Sequence, residues 1–158
     1  LGGAIANADP AACYPAALLA LSARVQTDRR EIAAEDFFTG LYETALAPGE
    51  LVTAVRFPTA SRTGYAKLKQ PASRFALVGV FVAQGAWGVR VAVTGVRASV
   101  FRCEPLEAAL VRSFTPEAAR AVRITLDDAM SDLHASGDYR AAMVPVMAAR
   151  AVAAALAG

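Results

Sequence analysis

The sequence predicts an α+β fold in which short strands come first and helices last. Three observations carry this. Residues 23–27 and 51–57 alternate small or apolar with polar side chains, the period of a half-buried strand. Residues 75–82 form a nearly unbroken apolar run and 87–94 alternate cleanly, as neighbouring strands of one sheet do. From Glu104 onward the apolar residues change to helical spacing. Strands followed by helices in so short a segment point to a three- or four-stranded antiparallel sheet covered by helices.

Taken in order, Gly2-Gly3 supplies a backbone able to take positive φ, followed by small residues and Asp9-Pro10. Pro15 opens a short helix through Leu21, because proline suits the first helical position. Strand 23–27 turns at Asp28-Arg29-Arg30 and returns at Glu31–Ala33. Phe37 and Phe38 are read as core anchors, closed by Gly40. Ala47-Pro48-Gly49-Glu50 is a turn, and the strand Leu51–Phe57 would place Leu51, Thr53, Val55 and Phe57 on one face. Pro58 stops it.

Polar residues 59–63 mark a boundary, dividing the chain into 1–58 and 59–158. Gly64–Gln70 reads as a strand, 71–74 as a turn, 75–82 as a buried strand, 83–86 as a hairpin, and 87–94 as its partner. Gly95 breaks the pattern, and 97–102 is a further strand. Glu104–Val111 forms a helix with Leu106 and Leu110 four apart. Thr115 caps and Pro116 opens another, with Ala118, Val122, Leu126 and Met130 on one stripe. A last helix carries Tyr139, Met143, Val146 and Met147, with a kink or restart at Pro145.

Composition narrows the function classes. Of 158 residues 56% are hydrophobic, which argues against disorder. The net charge is +2 with scattered Lys and Arg, so no nucleic-acid stripe is present. Cys13 and Cys103 have neither metal nor disulfide spacing, and the single His134 leaves no catalytic dyad or zinc set. The apolar run 141–158 is interrupted by Pro145 and Arg150, so no membrane span is expected. With no signal-peptide pattern, a cytoplasmic location is expected. The absence of Met before Leu1 is read as a piece of a longer chain.

Several motifs, in order, resemble one family. They are Gly2-Gly3, Asn7-Ala8-Asp9-Pro10-Ala11, Pro15–Leu21, Asp36-Phe37-Phe38-x-Gly40 and Leu46–Val52. Further along come Tyr65-x-Lys67-x-Lys69, Pro71–Val80, Thr94-Gly95-Val96, Glu104-x-Leu106-Glu107-x-x-Leu110 and Asp138-Tyr139-Arg140. Together they resemble the FAD-binding medium subunits of molybdenum hydroxylases, of the carbon monoxide dehydrogenase and xanthine dehydrogenase type. The resemblance implies the end of a PCMH-type FAD-binding domain in 1–58. It implies the flavoprotein's small C-terminal α+β domain in 59–158.

The resemblance also implies a site. Gly2 and Gly3 would offer backbone N–H groups to phosphate, and Asn7 its amide to the ribityl chain or phosphate. The family's ribityl-binding Asp is replaced by Cys13, so that contact either passes to Asp9 or is lost. Cys13 is equally readable as a small buried residue. Val52 would lie against the flavin rings or simply pack its strand, and Lys69 would stabilise reduced flavin or be solvated. Tyr65 and Arg74 would line the same cleft.

The function implied is an FAD-binding electron-transfer subunit, an oxidoreductase component, passing electrons from iron–sulfur clusters through flavin to an acceptor. Molybdopterin would belong to a large subunit and [2Fe–2S] clusters to a small one; the N-terminal half of the FAD domain would be a further partner. The alternative is a truncated docking or assembly module that binds no FAD alone.

Overall fold

A computed structural model describes residues 1–158. The first part opens with helix α1 (Gly2–Ala6) and helix α2 (Tyr14–Ala20). Strands β1 (Arg24–Thr27), β2 (Glu31–Ala33) and β5 (Val52–Arg56) form an antiparallel sheet in the order β2-β1-β5. Between β2 and β5 lie a turn of helix, α3 (Ala34–Phe37), and a small hairpin of β3 (Phe38–Gly40) and β4 (Glu43–Thr44). Ile5, Leu18, Val25 and Phe37 are fully buried at the centre of this part. Phe38 meets Phe37 edge-on with ring centroids 5.1 Å apart, so the aromatic pair does anchor the core.

Strand β5 does not alternate as its sequence suggests. Gln26 pairs with Ala54, but Thr27 pairs with Val52, so Thr53 is an extra residue in the ladder. This bulge turns Val52 and Val55 to the same side as Val25 and Thr27, and leaves Leu51, Thr53 and Phe57 exposed.

The second part is a four-stranded antiparallel sheet in sequential order, β6 (Ala60–Lys69), β7 (Ala76–Gly85), β8 (Gly88–Thr94) and β9 (Phe101–Arg102). Strand β6 begins inside the polar stretch 59–63 read as a boundary. The hairpin between β7 and β8 tightens to Ala86-Trp87, and the expected strand 97–102 shrinks to two residues. On one face Val78, Val80, Val82, Val91 and Val93 pack under α4 (Glu104–Arg112), α5 (Pro116–Arg120) and α6 (Gly137–Ala157). On the other face Ala83, Ala92 and Phe81 join the core around α2. The sheet is therefore covered on both sides, and its central strands β7 and β8 are correspondingly rich in apolar residues.

The helix expected through Met130 ends at Arg120. The Val122–Thr125 run is rich in β-branched residues and continues as irregular chain, with Val122, Ile124 and Leu126 still packed on the core. Thr115 caps α5 as expected, its hydroxyl accepting the Ala118 N–H at 3.2 Å. Helix α6 runs unbroken through Pro145. Its buried stripe runs through Arg140, Ala141, Val144, Met147, Ala148, Ala151, Val152 and Ala155, leaving Tyr139 exposed. By length and composition alone α6 is long and apolar enough to cross a membrane, but half of its most apolar window is buried within the fold, as in a core helix.

Helix α6 approaches β6 closely at one point. A side chain on Gly64 would overlap the carbonyl of Ala151 and stand 2.8 Å from the amide of Ala155, so only glycine lets strand and helix meet there.

Candidate functional site

The Asp9–Cys13 turn folds back onto the second sheet. Asp9 caps its own turn, one carboxylate oxygen accepting the Ala11 N–H at 2.8 Å. Two further bonds tie the turn to the sheet: Gly95 N–H to the Pro10 carbonyl at 2.7 Å, and Ala76 N–H to the Ala11 carbonyl at 3.3 Å. The turn and α1 thereby form one wall of a pocket of about 450 Å³. Ala4, Ala11, Ala12 and Cys13 line it from that side, with Tyr14 at the start of α2. Lys67 of β6 and the loop residues Ser73, Arg74 and Phe75 complete it. Its surface is mainly apolar, with Tyr14 and Phe75 about half exposed and two cations, Lys67 and Arg74, among the lining.

The Lys67 ammonium donates to Cys13 Sγ at 3.1 Å. Behind them lies a small polar cluster. The hydroxyls of Tyr65 and Thr94 are buried without a hydrogen bond, and both crowd Gly79, where a Cβ would lie 2.8 and 2.6 Å from them. Burial, reinforced by the adjacent Cys13, pushes the Tyr65 phenol upward, so it stays a neutral hydroxyl.

The expected site residues divide into two groups. Gly2 and Gly3 are not a positive-φ turn; they open α1. Small side chains and the following Ala-Ile-Ala allow the helical conformation. As in any helix, the first-turn N–H groups of Gly2, Gly3 and Ala4 have no partner within α1. Gly2 faces Val52, whose Cγ1 would be 4.0 Å from an added Cβ, so these two expected residues do meet. Asn7 is the exposed C-cap of α1 and caps through its backbone N–H, bonded to the Gly3 carbonyl. Cys13 lies in the pocket, whereas Lys69 is exposed at the end of β6 and does not line it.

Lys67 is the lining cation that sequence reading passed over. Lys67 and Lys69 alternate onto the same strand face, so spacing alone does not separate them. The distinction comes from the register. Leu68 pairs with Val78 but Lys69 pairs with Ala76, a bulge at Leu77 that ends the regular ladder just after Lys67. Phe75 also escaped notice, as the expected first residue of a buried strand. Arg74 takes φ of +62° and ends the turn one residue later, leaving Phe75 exposed at the pocket.

A larger hollow of about 520 Å³ lies beside the start of α4. Two of its arginines are occupied. Arg97 pairs with Asp128 at 2.7 Å, and Arg102 binds both carboxylate oxygens of Glu107.

Residues 1–60 match the family described as the FAD binding domain in molybdopterin dehydrogenase. The carbon monoxide dehydrogenase medium chain of Hydrogenophaga pseudoflava is 33% identical, over 98% of this chain and 60% of that one. Over nearly its whole length the chain is similar to medium subunits of molybdenum hydroxylases. A second relative is the nicotine 6-hydroxylase medium subunit of Paenarthrobacter nicotinovorans, 32% identical over 96% of this chain and 59% of its own length. The solved carbon monoxide dehydrogenase of Hydrogenophaga pseudoflava lacking the Mo-pyranopterin moiety superimposes with a TM-score of 0.84. It is 34% identical, covering 98% of this chain and 60% of that one. The α+β fold is thus that of medium subunits, and the chain spans about three-fifths of their length. The whole wall from Ala4 to Tyr14 lies inside the matched FAD-binding segment.

Proposed function

We propose that this chain is the greater part of an FAD-binding electron-transfer subunit, and that its pocket holds part of the FAD. The observation that carries this reading is the coincidence of the apolar pocket with the FAD-binding match over residues 1–60. The residues fit such a group. Ala4, Ala11, Ala12, Tyr14 and Phe75 offer apolar and aromatic walls for a planar ring system. The free amides at the start of α1 suit a phosphate, and Asn7 and Asp9 supply polar groups for the ribityl chain. Lys67 places positive charge where an electron-rich ring is favoured, with Lys69 farther out on the same face.

FAD, when bound, supplies the redox chemistry, taking electrons from the [2Fe–2S] clusters of a small subunit and giving them in pairs to an acceptor. The chain's own residues bind, orient and tune. Residues 1–58 are read as the end of the FAD-binding domain and 59–158 as the flavoprotein's C-terminal domain. A molybdopterin-binding large subunit, and the remaining part of the FAD domain, complete the assembly.

The test is flavin retention. The chain is purified with and without the N-terminal half of a medium subunit, incubated with FAD and passed through gel filtration. Oxidised-flavin absorption that travels with the protein supports the reading. No retained flavin in either case overturns it and favours the docking module, which the exposed Leu51 and Phe57 would suit.

A further inference from the structure

Arg140 is buried to 4% exposure in α6, on the side of the sheet away from the pocket. Its Nη1 donates to two backbone carbonyls, those of Leu77 at 3.1 Å and Gly95 at 2.6 Å. Its Nη2 donates to Asp132 Oδ2 at 2.6 Å.

Neither carbonyl belongs to a regular ladder. Leu77 is the bulged residue of β7. Gly95 has φ of +81° and packs so tightly that a Cβ there would lie 2.5 Å from the Ala76 carbonyl oxygen and 2.7 Å from that of Leu77. Two backbone distortions therefore meet at one spot, and Arg140 supplies donors to the carbonyls they free. Without it, the buried Gly95 carbonyl and the part-buried Leu77 carbonyl would each lose this donor, which is costly where water is excluded.

The same two segments hold the pocket wall. Gly95 donates to Pro10, and Ala76, next to Leu77, donates to Ala11. We propose that Arg140 is a positioning residue for the pocket, fixing the Pro10–Ala11 wall through the backbone of Leu77 and Gly95. The device is a relay from guanidinium to carbonyl, through one residue of backbone at Gly95 and two at Leu77-Ala76, to amide and on to the wall. This rests on the flavin reading only for what the wall binds.

The test uses the full-length subunit in its complex, with Arg140→Gln, Arg140→Lys and Asp132→Asn. The exposed Arg150→Gln on the same helix serves as control. Amide hydrogen exchange at Gly95 and Ala76 reads the wall, and FAD titration reads the pocket. Arg140→Gln is expected to speed exchange at both amides and to weaken FAD binding at least tenfold. Arg140→Lys should recover part of both, and Arg150→Gln should change neither. Should Arg140→Gln fail to fold, Asp132→Asn, which frees the guanidinium on one side only, is expected to shift both readouts in the same direction. Unchanged exchange at Gly95 and Ala76 overturns the proposal, as does faster exchange with unaltered FAD affinity. If the wild-type complex binds no FAD, the flavin reading fails, while the exchange data still decide whether Arg140 holds the wall.

Discussion

Lys67 Nζ lies 3.1 Å from Cys13 Sγ, joining β6 to the turn before α2 at the pocket. The partner at this point is a thiol and not a carboxylate. Lys67 consequently has no carboxylate partner within the chain, and its charge is free to act on whatever fills the pocket.

Replacing Lys67 by Met is therefore expected to weaken FAD binding roughly tenfold, about 1.4 kcal/mol. The thermal midpoint should barely move, because the residue is only half-buried. Titration of flavin fluorescence checks this. Equal affinities in the two proteins would remove Lys67 from the site.

The two cysteines should respond differently to a thiol reagent. Cys13 is half-buried at the pocket, while Cys103 is 3% exposed and burial pushes its thiol up to about 11. In the native protein at pH 8, one thiol is expected to react quickly, and bound FAD should slow it. Both should react in denaturant. Mass spectrometry of the labelled peptides identifies which one reacted first.

Glu50 gives the fold a defined acid sensitivity. Its carboxylate accepts from Arg30, the Ala47 amide and the Thr27 hydroxyl, and these hold it down at about 2. In the unfolded chain a glutamate titrates at about 4.3. The folded state thus binds the proton less readily, so the stabilisation is complete above the unfolded value and is lost as pH falls towards 2. Glu50→Gln should lower the melting temperature at pH 7, and the gap from wild type should narrow steadily between about pH 4.5 and 2. A gap independent of pH would show that the carboxylate's charge is not what matters.

Gly64→Ala should be among the most damaging single methyl additions. The new Cβ would meet the backbone of Ala151 and Ala155, which cannot turn aside as a side chain can. A loss of about 3 kcal/mol or more is expected, at the upper end of overpacking effects. Gly79→Ala, which meets two hydroxyls, should cost less. Denaturant unfolding of both variants orders them, and the reverse order would contradict the geometry.

Most of the longer strands, the β1–β2 and β7–β8 hairpins and the short Pro15 helix were legible because each is written in local periodicity. What escaped was decided by contacts between distant segments. The bulge at Thr53 depends on how Thr27 meets Val52, and so the faces of β5 were misread. The bulge at Leu77 likewise separates Lys67 from Lys69. The stripe from Ala118 to Met130 has helical spacing, yet its β-branched run packs as irregular chain on the core. Motif order pointed to Cys13 and the Gly2 region, but Phe75 needed the positive φ at Arg74.

The order in which the sheet and its cover are made has its own consequence. Strands β6 to β9 are complete in the chain by Arg102, while the helix that lies on β6 and β7 ends at Ala157. During synthesis, then, the valines of β7 and β8 have only α4 and α5 over them until α6 has left the ribosome. The nascent polypeptide passes through an interval in which an apolar sheet face is open, the condition under which chains stick to one another or are taken up by chaperones. A break in translation shortly before Gly137 would leave the sheet without the largest part of its cover, with only α4 and α5 on that face.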